Sequence, residues 1–246
     1  AYLRLGDGRR RNALRTADWC LLADQIRRLG TDPAVRAVVV SGTGGCFSAG
    51  SDISEWRAAD VHAVDRSFAA MEDAISAVES LPVPVVAKLE GVALGAGCQL
   101  ALACDLRVLE RRAVLGMPVT RLGILVTPAF AGRLVRVAGP EVASRLLLTG
   151  TLLDSDEARR CGVASEVTAS EHLDARVREL VARIVSLPPT AVRAAKQAVR
   201  AAAAAIAAPR GAAAPHAVDM TSFVPAVAAF LDAHGLGAGE GSPIVV

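Results

Sequence analysis

The chain has 246 residues, 52% of them apolar and 3% aromatic, with a net charge of +2; this supplies a substantial core and excludes a basic, base-stacking nucleic-acid surface. Its five cysteines form neither a CxxC pair nor a ligand set with histidine, which excludes a disulfide framework and a metal site and points to a reducing, cytoplasmic setting. Apolar runs such as Val35 to Val40 are too short to cross a bilayer, and the N-terminal residues hold no signal-peptide core, so a soluble protein without membrane partners is expected.

In chain order, Asn12 to Gly30 carries Leu14, Leu21, Leu22, Ile26 and Leu29 near helical spacing, and Gly30 marks the stop. Val35 to Val40 is a β-branched run bounded by Gly42, Gly44 and Gly45, which predicts a buried strand. Ser54 to Leu81 reads as a helix, and Pro82 and Pro84 open a second strand at Val85 to Leu89. A helix over Cys98 to Cys104 is followed by strands at Leu106 to Leu109 and Ala113 to Leu115. Strands alternating with helices predict a largely parallel sheet covered on both faces.

Beyond Pro128 the pattern is helical: Ala129 to Val137, Pro140 to Leu148, Asp154 to Cys161, His172 to Leu187 and Thr190 to Ala208. The alanine tract from Ala201 to Ala214 reads as a helix ending at Pro209 with a hinge behind it, against the alternative of a low-complexity linker. A last helix, Phe223 to His234, carries Val224, Val227, Phe230 and Leu231 on one face and suits packing on another subunit. Glycines from Gly235 to Gly241 leave the final residues loosely held.

Two small-residue stretches stand out, CFSAGSD at Cys46 to Asp52 and GVALGAGCQLALACD at Gly91 to Asp105. Each places glycine, alanine or serine where a strand gives way to a helix, so backbone N–H groups can approach a ligand unobstructed. Two such turns can form an oxyanion hole, which stabilises an acyl or enolate oxygen without moving a proton. Gln99 and Val119, beside them, move no proton either.

The ordered set RNAL at Arg11 to Leu14, VRAVVVSGTGGCFSAGSDISE at Val35 to Glu55, PVPVVAKLEGVALGAGCQLALACDLRV at Pro82 to Val108, LGILVTP at Leu122 to Pro128, and LLLTG, EA and CGV between Leu146 and Val163 resembles the crotonase superfamily, the enoyl-CoA hydratase/isomerase family. The resemblance implies an α/β fold, a spiral of ββα repeats over residues 1–190, with a C-terminal helical region over 191–246 that closes the pocket and assembles a homotrimer or hexamer. It implies an acyl-CoA or carrier-protein thioester as partner, with coenzyme A entering as part of the substrate and no separate cofactor.

Carried over by resemblance, the oxyanion donors are the backbone N–H groups of Ser51 and Ala96. The coenzyme A loops are Arg10, Asn12 and Ala13 with Ser48, Ala49 and Asp52, Arg10 being the phosphate candidate. Hydratases of the family carry glutamate where this chain has Gln99 and Val119, and other members carry an acidic residue where it has Thr127. Each general acid or base is worth about 10² to 10⁴ in rate, so ordinary hydration is disfavoured and Gln99 is left an orienting role. Decarboxylase-like or isomerase-like chemistry and a non-catalytic acyl-CoA binder are both consistent with this. Lys88 reads either as a buried base of depressed pKa or as an ion-paired strand residue with a packed stem. Cys98 and Cys104 read as buried structural thiols, His216 and His234 as surface residues or pocket-border acids, and Asp105 as structural.

Overall fold

The computed structural model describes residues 1–6, 8–206 and 216–235. Among them, strands β1 (Tyr2–Leu5), β2 (Val38–Gly42), β3 (Val85–Leu89), β4 (Val92–Leu94), β5 (Leu106–Glu110), β6 (Val114–Gly116), β7 (Leu152–Asp154) and β8 (Glu166–Thr168) form two sheets. The larger runs β1-β2-β3-β5-β8 and is parallel throughout, with Val39 opposite Val86 and Val86 opposite Leu106. The smaller runs β4-β6-β7, its last pair antiparallel. Helices are α1 (Thr16–Thr31), α2 (Val61–Ser80), α3 (Ala96–Ala103), α4 (Pro128–Thr149), α5 (Ser155–Arg160), α6 (Leu173–Ser186), α7 (Pro189–Ile206) and α8 (Met220–Ala233).

Alternation along the buried strands divides the apolar side chains between two layers. Val38, Val40, Val85, Ala87 and Leu89 belong to the main core with Trp19, Leu22 and Ile26 of α1 and Ile75 and Val78 of α2. Their neighbours Val39, Val86 and Val108 pack on Leu173 and Val177 of α6. The sheet is thus covered on both faces, as the element order predicts. α3 is buried at all eight positions, so its sequence carries little amphipathic signal. Asp105 is structural: its carboxylate accepts from Val85 N at 2.7 Å and pairs with Lys196 and Arg200 of α7 at 2.7 and 3.0 Å.

Several expectations change. The stretch from Ser54 to Leu81 is a 3-10 turn, Ile53–Trp56, then α2, because Asp60 caps a new helix by accepting from Ala63 N at 2.7 Å. The two helices expected on either side of Gly139 are both present within α4, parted where Gly139 takes φ 79° and ψ 166° ahead of Pro140. Strands β4, β7 and β8 have only three residues each, too few for a period to register. The hinge expected after Pro209 and the glycines beyond Gly235 lie outside the described residues.

α8, the helix expected to suit another subunit, packs in part on its own chain. It buries Phe223, Val227 and Leu231, spaced four apart, while Phe230 stays 38% exposed. Phe223 meets Trp56 at 5.5 Å between ring centroids, and Arg57 pairs with Asp232 at 2.9 Å. The turn Pro118–Leu122 packs on the same helix, and a Cβ on Gly123 would lie 2.5 Å from Ser222 Oγ. α8 therefore seats against both the segment after Asp52 and the segment around Val119.

Candidate functional site

The two small-residue turns are stitched together through Ser48. Its amide donates to Val92 O at 3.0 Å, and its carbonyl accepts from Leu94 N at 3.0 Å. A Cβ on Gly97 would lie 2.4 Å from Ser48 O, and one on Gly50, at φ 97°, would lie 2.7 Å from Leu94 O and 3.0 Å from Ala96 N. Only glycine permits this approach.

The stitching leaves two amides over. Leu14 bonds to both neighbours of Ser51, donating to Gly50 O at 2.8 Å and accepting from Asp52 N at 2.7 Å, so the Ser51 N–H faces the other way. Ala96 is the first residue of α3, whose opening N–H groups have no intrahelical partner. Neither amide has an acceptor among the described residues. Trp19 Nε1 donates to Ser51 Oγ at 3.1 Å and fixes that side chain.

The loop before α1 is held against the first turn by Asn12, fully buried. Arg10, Arg11 and Asn12 take φ of 45°, 53° and 54°, a left-handed run that costs about 1 to 2 kcal/mol per residue. Offsetting this, Asn12 Nδ2 donates to Thr43 O at 2.9 Å and Cys46 O at 2.7 Å, while its Oδ1 accepts from Gly8 N at 2.9 Å. Ser48 Oγ donates to Asn12 O at 2.8 Å, Ala49 N to Arg11 O at 2.8 Å, and Ala13 N to Arg10 O at 3.2 Å. Arg10 Nη1 donates to Asp52 Oδ2 at 2.8 Å and Ser54 Oγ at 3.1 Å, so these two candidate loop residues are paired with each other. Burial pushes the Asp52 carboxyl up, but hydrogen bonds from Ser54 and Arg10 outweigh it and hold its pKa below the ordinary value.

Behind Ala96, one turn along α3, Gln99 is fully buried and its amide is engaged on both sides. Nε2 donates to Phe130 O at 3.0 Å and Met117 Sδ at 3.1 Å, and Oε1 accepts from Arg133 Nη1 at 3.3 Å. Arg133, only 3% exposed, forks onto Glu72, with one arm at 2.9 Å, and reaches Glu79 at 3.2 Å; Arg136 takes the other Glu79 oxygen at 2.7 Å. Burial pulls the Arg133 guanidinium down, but Glu72 and Glu79 outweigh it and raise its pKa. The buried Arg133 Nε has no partner among the described residues.

The expectation that Gln99 orients a ligand is thereby narrowed. Both amide hydrogens are taken inside the protein, leaving one Oε1 lone pair. Val119 is buried in the turn Pro118–Leu122, two residues after Met117. Thr127 serves as the N-cap of α4, its Oγ1 accepting from Phe130 N at 3.2 Å.

The remaining candidates lie elsewhere. Lys88 Nζ contacts Asp174 at 2.7 Å and Glu90 at 3.0 Å. Burial pulls its pKa down, but the two carboxylates more than offset this and raise it, which corrects the expectation of a depressed base. Lys88 shares its register row with Ser41 and Arg4. With Asp174 of α6 and the Gly42 to Gly45 loop they line a cleft of about 300 Å³. His234 stacks on Phe230 at 4.1 Å and meets Phe230 O through Nδ1 at 2.8 Å; His216 pairs with Asp65 at 2.8 Å. Burial pushes the Cys98 and Cys104 thiols up to about 12, which leaves both unreactive.

Sequence reasoning missed the cluster of Arg133, Glu72 and Glu79. One signal was available: Arg133 interrupts the apolar stripe of Phe130, Leu134 and Val137 at helical spacing.

A five-stranded parallel sheet, a small second sheet and two interlocked small-residue turns define an α/β protein of the crotonase fold. Residues 1–222 match the family described as enoyl-CoA hydratase/isomerase, and the chain belongs to that family. A crotonyl-CoA hydratase of Syntrophomonas wolfei is 36% identical over 187 residues, 74% of this chain and 70% of that protein. An enoyl-CoA hydratase structure from Bacillus anthracis superposes with a TM-score of 0.77 at 32% identity, over 81% of this chain and 78% of its own. An enoyl-CoA hydratase/isomerase structure from Xanthobacter autotrophicus Py2 gives 0.77 at 27% identity, over 95% and 94%. Among the described residues no helix is long and apolar enough to cross a membrane.

Proposed function

We propose that this chain binds an acyl thioester, with its carbonyl oxygen on the N–H groups of Ser51 and Ala96, and performs chemistry that needs a stabilised enolate but no side-chain acid or base at positions 99 and 119. The carrying observation is that both amides are without acceptors among the described residues, in turns that only glycine allows to meet. Removing one such donor costs about 2.7 to 4 kcal/mol of transition-state stabilisation, so the pair would be the main catalytic asset. Gln99 and Val119 accept no proton near neutral pH, which supports a reaction other than hydration, although relatives carry hydratase names.

Decarboxylation of a carboxyacyl thioester fits these limits. The bond between the α-carbon and the carboxylate breaks, its electron pair passes into the thioester to form the enolate, and carbon dioxide leaves. A solvent proton then completes the α-carbon. Steady-state assays on matched enoyl-CoA and carboxyacyl-CoA esters test the reading: turnover of a carboxyacyl ester with negligible crotonyl-CoA hydration supports it. Rapid hydration of crotonyl-CoA would sink it.

A second reading, a non-catalytic acyl-CoA binder or accessory homologue, draws on the closure of the wall, where Ala96, Gln99, Val119 and Phe130 are all buried. Binding measured by titration calorimetry with no turnover of either ester class would favour it. The five free thiols support a reducing compartment such as the cytoplasm. Exposed apolar side chains at Leu148, Leu187 and Val199 support a homotrimer or hexamer, which light scattering on the eluting protein tests.

A further inference from the structure

We propose that Arg133 is the positioning residue of the acyl-pocket wall, fixing the Gln99 amide in one orientation and denying position 99 an effective proton acceptor. The inference rests on the function proposed above, with the acyl group seated beside Ala96 and position 99, one turn along α3, facing it. Its first support is donor and acceptor logic. Arginine only donates, and the Phe130 carbonyl only accepts. The amide therefore turns Oε1 to Arg133 and Nε2 to Phe130; the flipped amide would set donor against donor and acceptor against acceptor.

The second support is charge. The titratable groups facing the guanidinium are Glu72 and Glu79 from α2, and Arg136 shares Glu79 from α4; α3 contributes Gln99 alone. Two cations meet two carboxylates, so the cluster is balanced with a neutral residue at 99. A glutamate placed there would be the third carboxylate on one guanidinium. Held by Nη1, it would be kept ionised and would be a poor proton acceptor. Changing Gln99 and Val119 to glutamate is therefore not sufficient to install hydration; Arg133 must change as well.

The test compares Q99E/V119E with Q99E/V119E/R133M/E72Q, in which the carboxylate partner of the lost guanidinium is neutralised too. Both are assayed for crotonyl-CoA hydration across pH. Removing Arg133 is expected to raise kcat at pH 7 by about tenfold or more with KM little changed, because the thioester contacts lie on the turns. The acid limb of the pH profile should move up by about one unit as the new glutamate loses its cation. A second variant, Q99E/V119E/R133K, keeps the charge but loses the fork and should fall between the two, which decides the matter if the quadruple variant does not fold. Equal rates and superimposed acid limbs with and without Arg133 would overturn the proposal. Rapid hydration by the unaltered protein would instead overturn the functional reading, while the paired pH profiles would still report on Arg133.

Discussion

The paired turns around Ser51 and Ala96 and the wall around Gln99 adjoin each other but are built by opposite means. The turns consist of backbone, held by Ser48 and by glycines that admit no Cβ. The wall consists mainly of side chains, with Gln99 held by the Phe130 carbonyl and by Arg133, which Glu72 and Glu79 hold in turn. A backbone site tolerates exchange of side chains and fails when volume is added; a side-chain site keeps its shape only while its charges balance. On the function proposed above, family membership and reaction type part company, the first resting on the turns and the second on the wall.

The most damaging way to break the turn half is Gly50→Ala. The added methyl would lie 2.7 Å from Leu94 O, at a φ that side chains rarely adopt. The expected outcome is a loss of about 10² to 10³ in turnover as the donors separate, with about 1 to 3 kcal/mol lost in thermal unfolding. Ala96→Gly makes the control. Its donor is backbone, so turnover should stay within a few-fold of the parent protein.

Asn12 comes next, because it ties the loop before α1 to the first turn. Asn12→Ala strands Gly8 N and the Thr43 and Cys46 carbonyls and keeps the left-handed strain, an expected loss of about 2 to 4 kcal/mol in denaturant midpoints. Asn12→Gly should recover about 1 kcal/mol of this, the backbone share alone. Equal losses in both variants would mean that the left-handed run carries no strain of its own.

A subtler probe is the pH dependence of Asp52. Its folded pKa is depressed below 3.8, so its stabilising contribution is present above the unfolded pKa and disappears as pH falls through the folded one. Asp52→Asn should therefore flatten the fall in stability below about pH 4, with little change in the steepness elsewhere. Urea titrations at stepped pH read this directly.

The same division between backbone and side chains explains what was legible in the sequence. Strands β2, β3 and β5 and the two turns are local: β-branched runs and small residues announce them within a few positions. Helix breaks set by one capping carboxylate, as at Asp60, need the hydrogen bond and not the pattern. Strands of three residues, as in β7 and β8, exist only through their partners. The wall was illegible for the same reason: Glu72, Gln99 and Arg133 are 27 to 61 positions apart, and only packing of α2, α3 and α4 brings them together. In α8, Phe230 shares the helical face of Phe223 and Val227 by spacing yet stays 38% exposed, so its exposure is set by the packing and not by the pattern.

The smallest effect is expected at Lys88, a charged residue outside both halves of the comparison. Its ammonium is held by Glu90 and by Asp174, whose side chain is 66% exposed, a setting in which an ion pair is worth about 0.2 to 1 kcal/mol. Because its folded pKa is raised, the contribution is present below the unfolded value and is lost only as pH rises through the folded one, above 10.5. Lys88→Met should leave turnover within about twofold and shift unfolding by less than about 1 kcal/mol at neutral pH. A drop in turnover of about a hundredfold, the scale of a lost general base, would instead bring Lys88 into the chemistry. It would also mean that the ion pair opens when substrate binds, and the division into a backbone half and a side-chain half would then need a third member.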